Sequence, residues 1–154
     1  MWLGCYKKME AGKLGMQKRA QGTWRRAKGR KGKNKKMGKF QDLKVWQRAK
    51  DLAFNIYKLT SEGKFVKDFN LRDQIRRAGV SIPSNIAEGD ELGTDKQAIR
   101  HFFIAKGSSA EVLTQAIISY EIGYINGNDY KYIEAECKAI SGMTMKLIQA
   151  RSKP

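Results

Sequence analysis

The sequence predicts an all-α protein: an up-down-up-down four-helix bundle over residues 39–154, preceded by a basic, glycine-rich extension over residues 1–38. Three observations predict it. Apolar residues recur at three- and four-residue steps through four successive segments, the spacing of amphipathic helices. No segment alternates convincingly with the period of 2 that a half-buried strand shows. Only two prolines occur in 154 residues, so long helices are seldom interrupted. The connections are short and polar, which places consecutive helices side by side and antiparallel.

The first helix is expected from about Asp42 to Thr60, with Asp42 as N-cap. Leu43, Trp46, Ala49, Ala53, Ile56 and Tyr57 make its inner stripe, and Gly63 lies just beyond its end. The second is expected from about Asn70, a second cap candidate, to Glu88, with Gly89 ending it. Leu71, Ile75, Ala78, Ile82 and Ile86 share its inner face, and a kink is expected at Pro83. Thr94-Asp95-Lys96-Gln97 is a capping box that opens the third helix. Its apolar pattern continues to about Tyr124, and Asn126-Gly127-Asn128 makes the next turn. The fourth helix is expected from Asp129 to Ala150, with Ile133, Cys137, Ile140, Met143, Leu147 and Ile148 inside.

The formal charge of +16 is unevenly spread. Residues 1–38 hold 13 Lys or Arg and one acid, Glu10, giving +12; residues 39–154 hold 18 basic and 14 acidic residues, giving +4. The first segment has no Val, Ile or Phe and no apolar period, so it cannot bury enough surface to offset its ordering entropy. It reads as a disordered arm. Arg25, Arg26, Lys28, Arg30, Lys31, Lys33, Lys35 and Lys36 would touch phosphates, and Trp24 would stack on a base. A second reading stays open: Met37 is a natural start, and the residues before it are then no part of the working protein.

The third helix carries more apolar surface than one stripe. Phe102, Ala105, Ser109, Leu113, Ala116 and Tyr120 make one line; Ile99, Phe103, Ala110, Ile117 and Tyr124 make another. Ile104, Val112, Ile118 and Ile122 fall partly outside both. A helix apolar on most sides is buried on most sides, so self-association is expected to cover the remainder. Gly107-Ser108-Ser109-Ala110 interrupts the large residues and permits a close helix crossing, within the bundle or between subunits.

Several chemistries lack their residues. His101 is the only histidine, with no second ligand at zinc spacing and Ala98 three residues before it, so neither a zinc site nor a di-iron Glu-x-x-His site is expected. Cys137 lies on an apolar face, where a free cysteine is a small hydrophobe. Gly89-Asp90-Glu91-Leu92-Gly93 is acidic and is followed by no Gly-Lys-Ser/Thr, so it is no phosphate loop. No catalytic residue, metal or cofactor is expected, and a cryptic enzyme ranks last. No apolar run approaches the roughly 20 residues that span a bilayer, so no membrane partner is expected. Two distant cysteines, Cys5 and Cys137, fit a reducing cytoplasm.

Ser81-Ile82-Pro83-Ser84-Asn85-Ile86-Ala87-Glu88-Gly89 resembles the signature of the four-helix-bundle proteins encoded within intervening sequences of bacterial 23S ribosomal RNA. The resemblance begins at Phe40-Gln41-Asp42-Leu43-Lys44-Val45-Trp46 and continues through Gln74-Ile75-Arg76-Arg77-Ala78. It extends over Phe102-Phe103-Ile104-Ala105-Lys106-Gly107-Ser108 and Gly123-Tyr124-Ile125, spanning nearly all of residues 37–154 and none of 1–36. It implies a bundle assembled as a ring, typically a homopentamer, with no known enzymatic activity. The family is related to the accessory protein of diversity-generating retroelements, which resembles a basic barrel that binds nucleic acid and a reverse transcriptase. Relatives often carry aromatic and basic residues after Ala-Glu-Gly; Asp90, Glu91 and Leu92 stand here instead, which argues against phosphate contact at that loop.

Within the signature, Ser81, Pro83, Asn85, Glu88 and Gly89 read as structural, with Ser81, Ser84 or Asn85 satisfying the carbonyl that Pro83 leaves without a donor. The first functional expectation is a homo-oligomer that binds RNA or DNA backbone by electrostatics. Arg76, Arg77, Arg100 and Lys106 are its candidate contacts, with Lys44 and Arg48 behind them. The alternative is a protein-interaction scaffold that binds no nucleic acid.

Overall fold

The structure is a computed structural model that describes residues 39–152; the expectations for residues 1–38 fall outside the described residues. Four helices follow one another: α1 (Lys44–Leu59), α2 (Phe69–Glu91), α3 (Asp95–Glu121) and α4 (Gly127–Arg151). Short 3-10 turns at Phe40–Asp42 and Gly63–Val66 precede α1 and α2, and the described residues contain no strand.

The helix ends show which local signals prevail. Asp42 does not cap α1. It sits in the preceding 3-10 turn, and the cap position falls on Leu43, which offers no side-chain acceptor. The entry is fixed instead by an edge-on contact of Phe40 with Trp46, ring centroids 5.1 Å apart. Asp68, not Asn70, caps α2: its carboxylate accepts from the Leu71 amide at 3.0 Å, while its other oxygen accepts from the Tyr124 hydroxyl at 3.3 Å. Gly89 does not end α2, which continues to Glu91. The Thr94 hydroxyl accepts from the Gln97 amide at 3.4 Å, as its box predicts, and donates to the Gln97 side chain at 2.7 Å, where the box expects that side chain to meet the Thr94 amide. α3 stops before Tyr124 because Gly123 takes φ +70°, with Gly123 N–H bonded to Tyr120 O and Tyr124 N–H to Ser119 O. Asn126 caps α4 through bonds from the amides of Asn128 and Asp129.

Cross-helix contacts give the topology. Thr60 meets Arg76 while Ile56 meets Gly79, so α1 and α2 run antiparallel. Ser81 meets Ser108 while Asn85 meets His101, so α2 and α3 do too. Asp95 meets Arg151 while Ser109 meets Cys137 for α3 and α4. Arg48 meets Glu136 while Asn55 meets Tyr132, which closes α4 back onto α1. This is the expected up-down-up-down bundle. Leu52, Ile56, Phe65, Ile82, Ile86, Val112, Ile133 and Ile140 fill its main core. A smaller apolar cluster of Ala98, Phe102 and Ile148 seals the end where α2 turns into α3. Val112, which the periodicity leaves between stripes, is fully buried.

Candidate functional site

The six cations singled out from the sequence do not meet at one point. Lys44 is the first residue of α1 and is exposed. One turn on, Arg48 reaches α4, its Nε 3.0 Å and its Nη2 2.8 Å from the two oxygens of Glu136. That two-toothed pairing occupies the guanidinium fork and ties α1 to α4. Arg76 is similarly engaged. Its Nε donates to Thr60 at 2.7 Å and its Nη2 to Ser61 at 3.2 Å, and its guanidinium lies 4.8 Å from the Tyr57 ring centroid. Arg77, next in sequence, is exposed and has no ion pair among the described residues. Together they border a cleft of about 510 Å³ between α1 and α2, lined also by Tyr57, Asp73, Val80 and Ser81. Tyr57 belongs to this surface rather than to the core stripe expected of it, being 46% exposed.

Arg100 and Lys106 lie on α3, the first exposed and the second half-buried. The Ser81–Ser108 contact sets the α2–α3 register. With a rise of about 1.5 Å per residue, it separates Arg77 from Arg100 by about 18 Å along the helices. Arg76 and Arg77 therefore form one group and Arg100 another.

The signature residues build the seam between α2 and α3. Ser81 and Ser108 share a hydrogen bond of 2.8 Å. Asn85 donates to the carbonyl and hydroxyl of Ser81, at 2.9 and 3.1 Å. On its other side, Asn85 Oδ1 lies 3.1 Å from His101 Nδ1, and Glu88 Oε2 lies 3.2 Å from the same nitrogen. Two oxygen acceptors facing Nδ1 require a proton there. His101 is thus a member of a polar chain, a role its isolation in sequence does not reveal. The signal was present one helix earlier, since Asn85 and Glu88 stand three apart on one face of α2.

The carbonyl freed by Pro83 belongs to Gly79, and the expected side chains do not serve it. Ser84 bonds the Val80 carbonyl at 2.9 Å and Asn85 the Ser81 carbonyl, each four residues back as a helical side chain of that length reaches. Gly89 completes the seam from below. A Cβ there would stand 2.6 Å from Phe102 Cε1 and 3.1 Å from the Ala98 carbonyl, so only glycine permits this approach. The acids that follow have their own task. Arg151 near the end of α4 bonds Asp90 at 3.1 Å and Asp95 at 3.3 Å, fastening α4 to the α2–α3 turn.

The small residues of α3 face two ways. Ser108 meets α2, whereas Ser109 donates to the Cys137 carbonyl of α4 at 3.1 Å. Gly107 and Ala110 remain exposed between them. Around them lies an apolar outer face: Phe103, Ile104, Ile117 and Ile118 on this helix and Ile122 at its C-cap are 37–50% exposed. Covering such a surface is worth about 25 cal/mol per Å² of apolar area.

Cys137 is buried, and burial pushes its thiol up to about 11, which removes the thiolate a nucleophile needs at neutral pH. Among the described residues no group of three or more His, Cys, Asp or Glu is placed to hold a metal. None of the described helices is long and apolar enough to cross a membrane.

Residues 41–146 match the family described as 23S rRNA-intervening sequence protein. No curated protein matches the chain. Among solved structures, it is similar to a protein of unknown function from the S23 ribosomal protein family of Bacteroides thetaiotaomicron. The TM-score is 0.63 and the identity 24%, covering 68% of this chain and 98% of that one. That likeness speaks to the fold alone.

Proposed function

From a chain that belongs to the family of 23S rRNA-intervening sequence proteins, we propose a non-enzymatic cytoplasmic module that self-associates and holds nucleic-acid backbone by electrostatics. The observation that carries this reading is the outer face of α3 and its C-cap, where Phe103, Ile104, Ile117, Ile118 and Ile122 stand exposed although the inner face of the helix is already core. Large apolar side chains exposed together on one side of a helix mark an interaction surface. A second copy of the chain covers it, and closure of such contacts gives a ring; five copies is the number that the resemblance implies. Each subunit then repeats Lys44, Arg77, Arg100 and Lys106 around the assembly, and a charge of +4 over residues 39–154 is multiplied accordingly. Arg48 and Arg76 serve the bundle first. A reverse transcriptase is the protein partner that the related accessory factor adds to this reading.

The alternative, a scaffold without nucleic acid, draws support from those same two arginines, whose donors are occupied within the subunit. Sedimentation of the full chain and of Ile118→Glu, with RNA and DNA binding across a salt series, separates the readings. The proposal expects an assembled parent whose affinity falls steeply with salt, and a monomeric variant that binds far more weakly. A parent monomeric at every concentration removes the self-association. An assembled parent with no salt-sensitive binding leaves the scaffold.

A further inference from the structure

We propose that the α1–α2 cleft is a binding site for single-stranded polynucleotide, with bases stacked on Phe54 and Tyr57 and a phosphate on Arg77. This rests on the electrostatic reading above and narrows it to one surface and one strandedness. Tyr57 lines the cleft at 46% exposure, and Phe54, three residues earlier on α1 and outside that lining, is 71% exposed. Phe54 is the most exposed large apolar side chain among the described residues. Nothing in the core requires an aromatic ring there.

The cations beside Tyr57 are arranged for an anion. Arg76 is held by Thr60 and Ser61 with its guanidinium 4.8 Å from the Tyr57 ring centroid, so one wall of the cleft carries a permanent charge. Arg77 adds a second guanidinium with no carboxylate partner among the described residues. Asp73, the one acid lining the cleft, is paired with Arg72 at 3.0 Å. The cleft is therefore net positive, unlike the outer face of α3, whose exposed residues are largely uncharged and suit a second copy of the chain. Exposed aromatic rings bordered by guanidinium groups are what unstacked bases need. A duplex hides its base faces and can use only the charges.

The test uses the full chain with short unstructured single-stranded RNA, single-stranded DNA and a duplex of equal length. Binding is read by fluorescence anisotropy, and assembly by light scattering. Phe54→Ala/Tyr57→Ala is expected to lose about tenfold or more in single-strand affinity while duplex binding stays unchanged. Arg77→Glu is expected to weaken both and to flatten the salt dependence. Phe54→Ala alone, at a position that packs against nothing in the core, keeps the test valid if the double variant folds poorly. Wild-type single-strand affinity in the aromatic variants overturns the proposal while leaving the broader electrostatic reading intact. So does duplex binding as tight as single-strand binding. Loss of assembly in the aromatic variants overturns it too, by making this surface a subunit contact. No salt-sensitive binding to any of the three probes is the failure of the broader reading itself.

Discussion

Phe102 and Phe103 are neighbours on α3 and occupy opposite environments. Phe102 is fully buried, with Gly89 and Ala98 close around its ring and the Arg151 guanidinium 6.0 Å from its centroid. Phe103 is half exposed. The same contrast runs along the helix. Its inner face is buried at Ala98, Phe102, Ala105, Val112 and Ala116, while its outer face exposes Phe103, Ile104, Ile117 and Ile118. Composition alone does not distinguish the two faces, since both are apolar. The difference is in the size and fit of their partners. Small residues on the inner face let α2 and α4 approach closely; large residues on the outer face are left exposed among the described residues.

The sharpest way to break this comparison is to truncate both rings. Phe102→Ala removes a fully buried aromatic side chain and leaves a cavity, so it is expected to cost about 3–5 kcal/mol in urea unfolding. Phe103→Ala is expected to leave the subunit's own stability nearly unchanged and to weaken its self-association. Equal losses from the two truncations in the dissociated protein would show that the outer face is core after all. A smaller effect is expected at the seam. Gly89→Ala places a methyl 2.6 Å from the Phe102 ring, and overpacking of this kind costs about 1–3 kcal/mol. Thermal unfolding of the variant measures it, and an unchanged midpoint would mean that the ring can move aside freely.

Much of this fold was legible because helices announce themselves locally. The apolar spacing placed the four helices, and the Thr94 box marked the start of α3. The surplus on α3 was also legible, since no single stripe accommodates Phe102, Phe103, Ile117 and Ile118 together. What escaped depends on partners distant in sequence. Arg48 reads as a free surface cation until Glu136, 88 residues away, is brought to it. Arg76 is claimed by Thr60 and His101 by Asn85, both 16 residues distant. Gly89 was ambiguous for another reason. A glycine near a helix end signals either a left-handed stop or a close approach, and only the position of Phe102 decides between them.

Gly107 provides the smallest and most discriminating test. It lies within α3 beside the exposed residues, and a Cβ there would meet nothing within 4 Å. In the isolated subunit, Gly107→Ala should therefore only restrict the unfolded chain and favour the helix, a gain of about 0.5–1 kcal/mol. In the assembly, the same methyl stands on the face assigned to a second copy, where small residues permit close approach. The two effects have opposite signs and are read separately: unfolding under dissociating conditions for the first, sedimentation across a concentration series for the second. A variant that is more stable as a monomer yet associates more weakly places a neighbouring subunit against Gly107. A variant that gains stability and assembles as before puts the subunit contact elsewhere on α3, beyond the reach of that methyl.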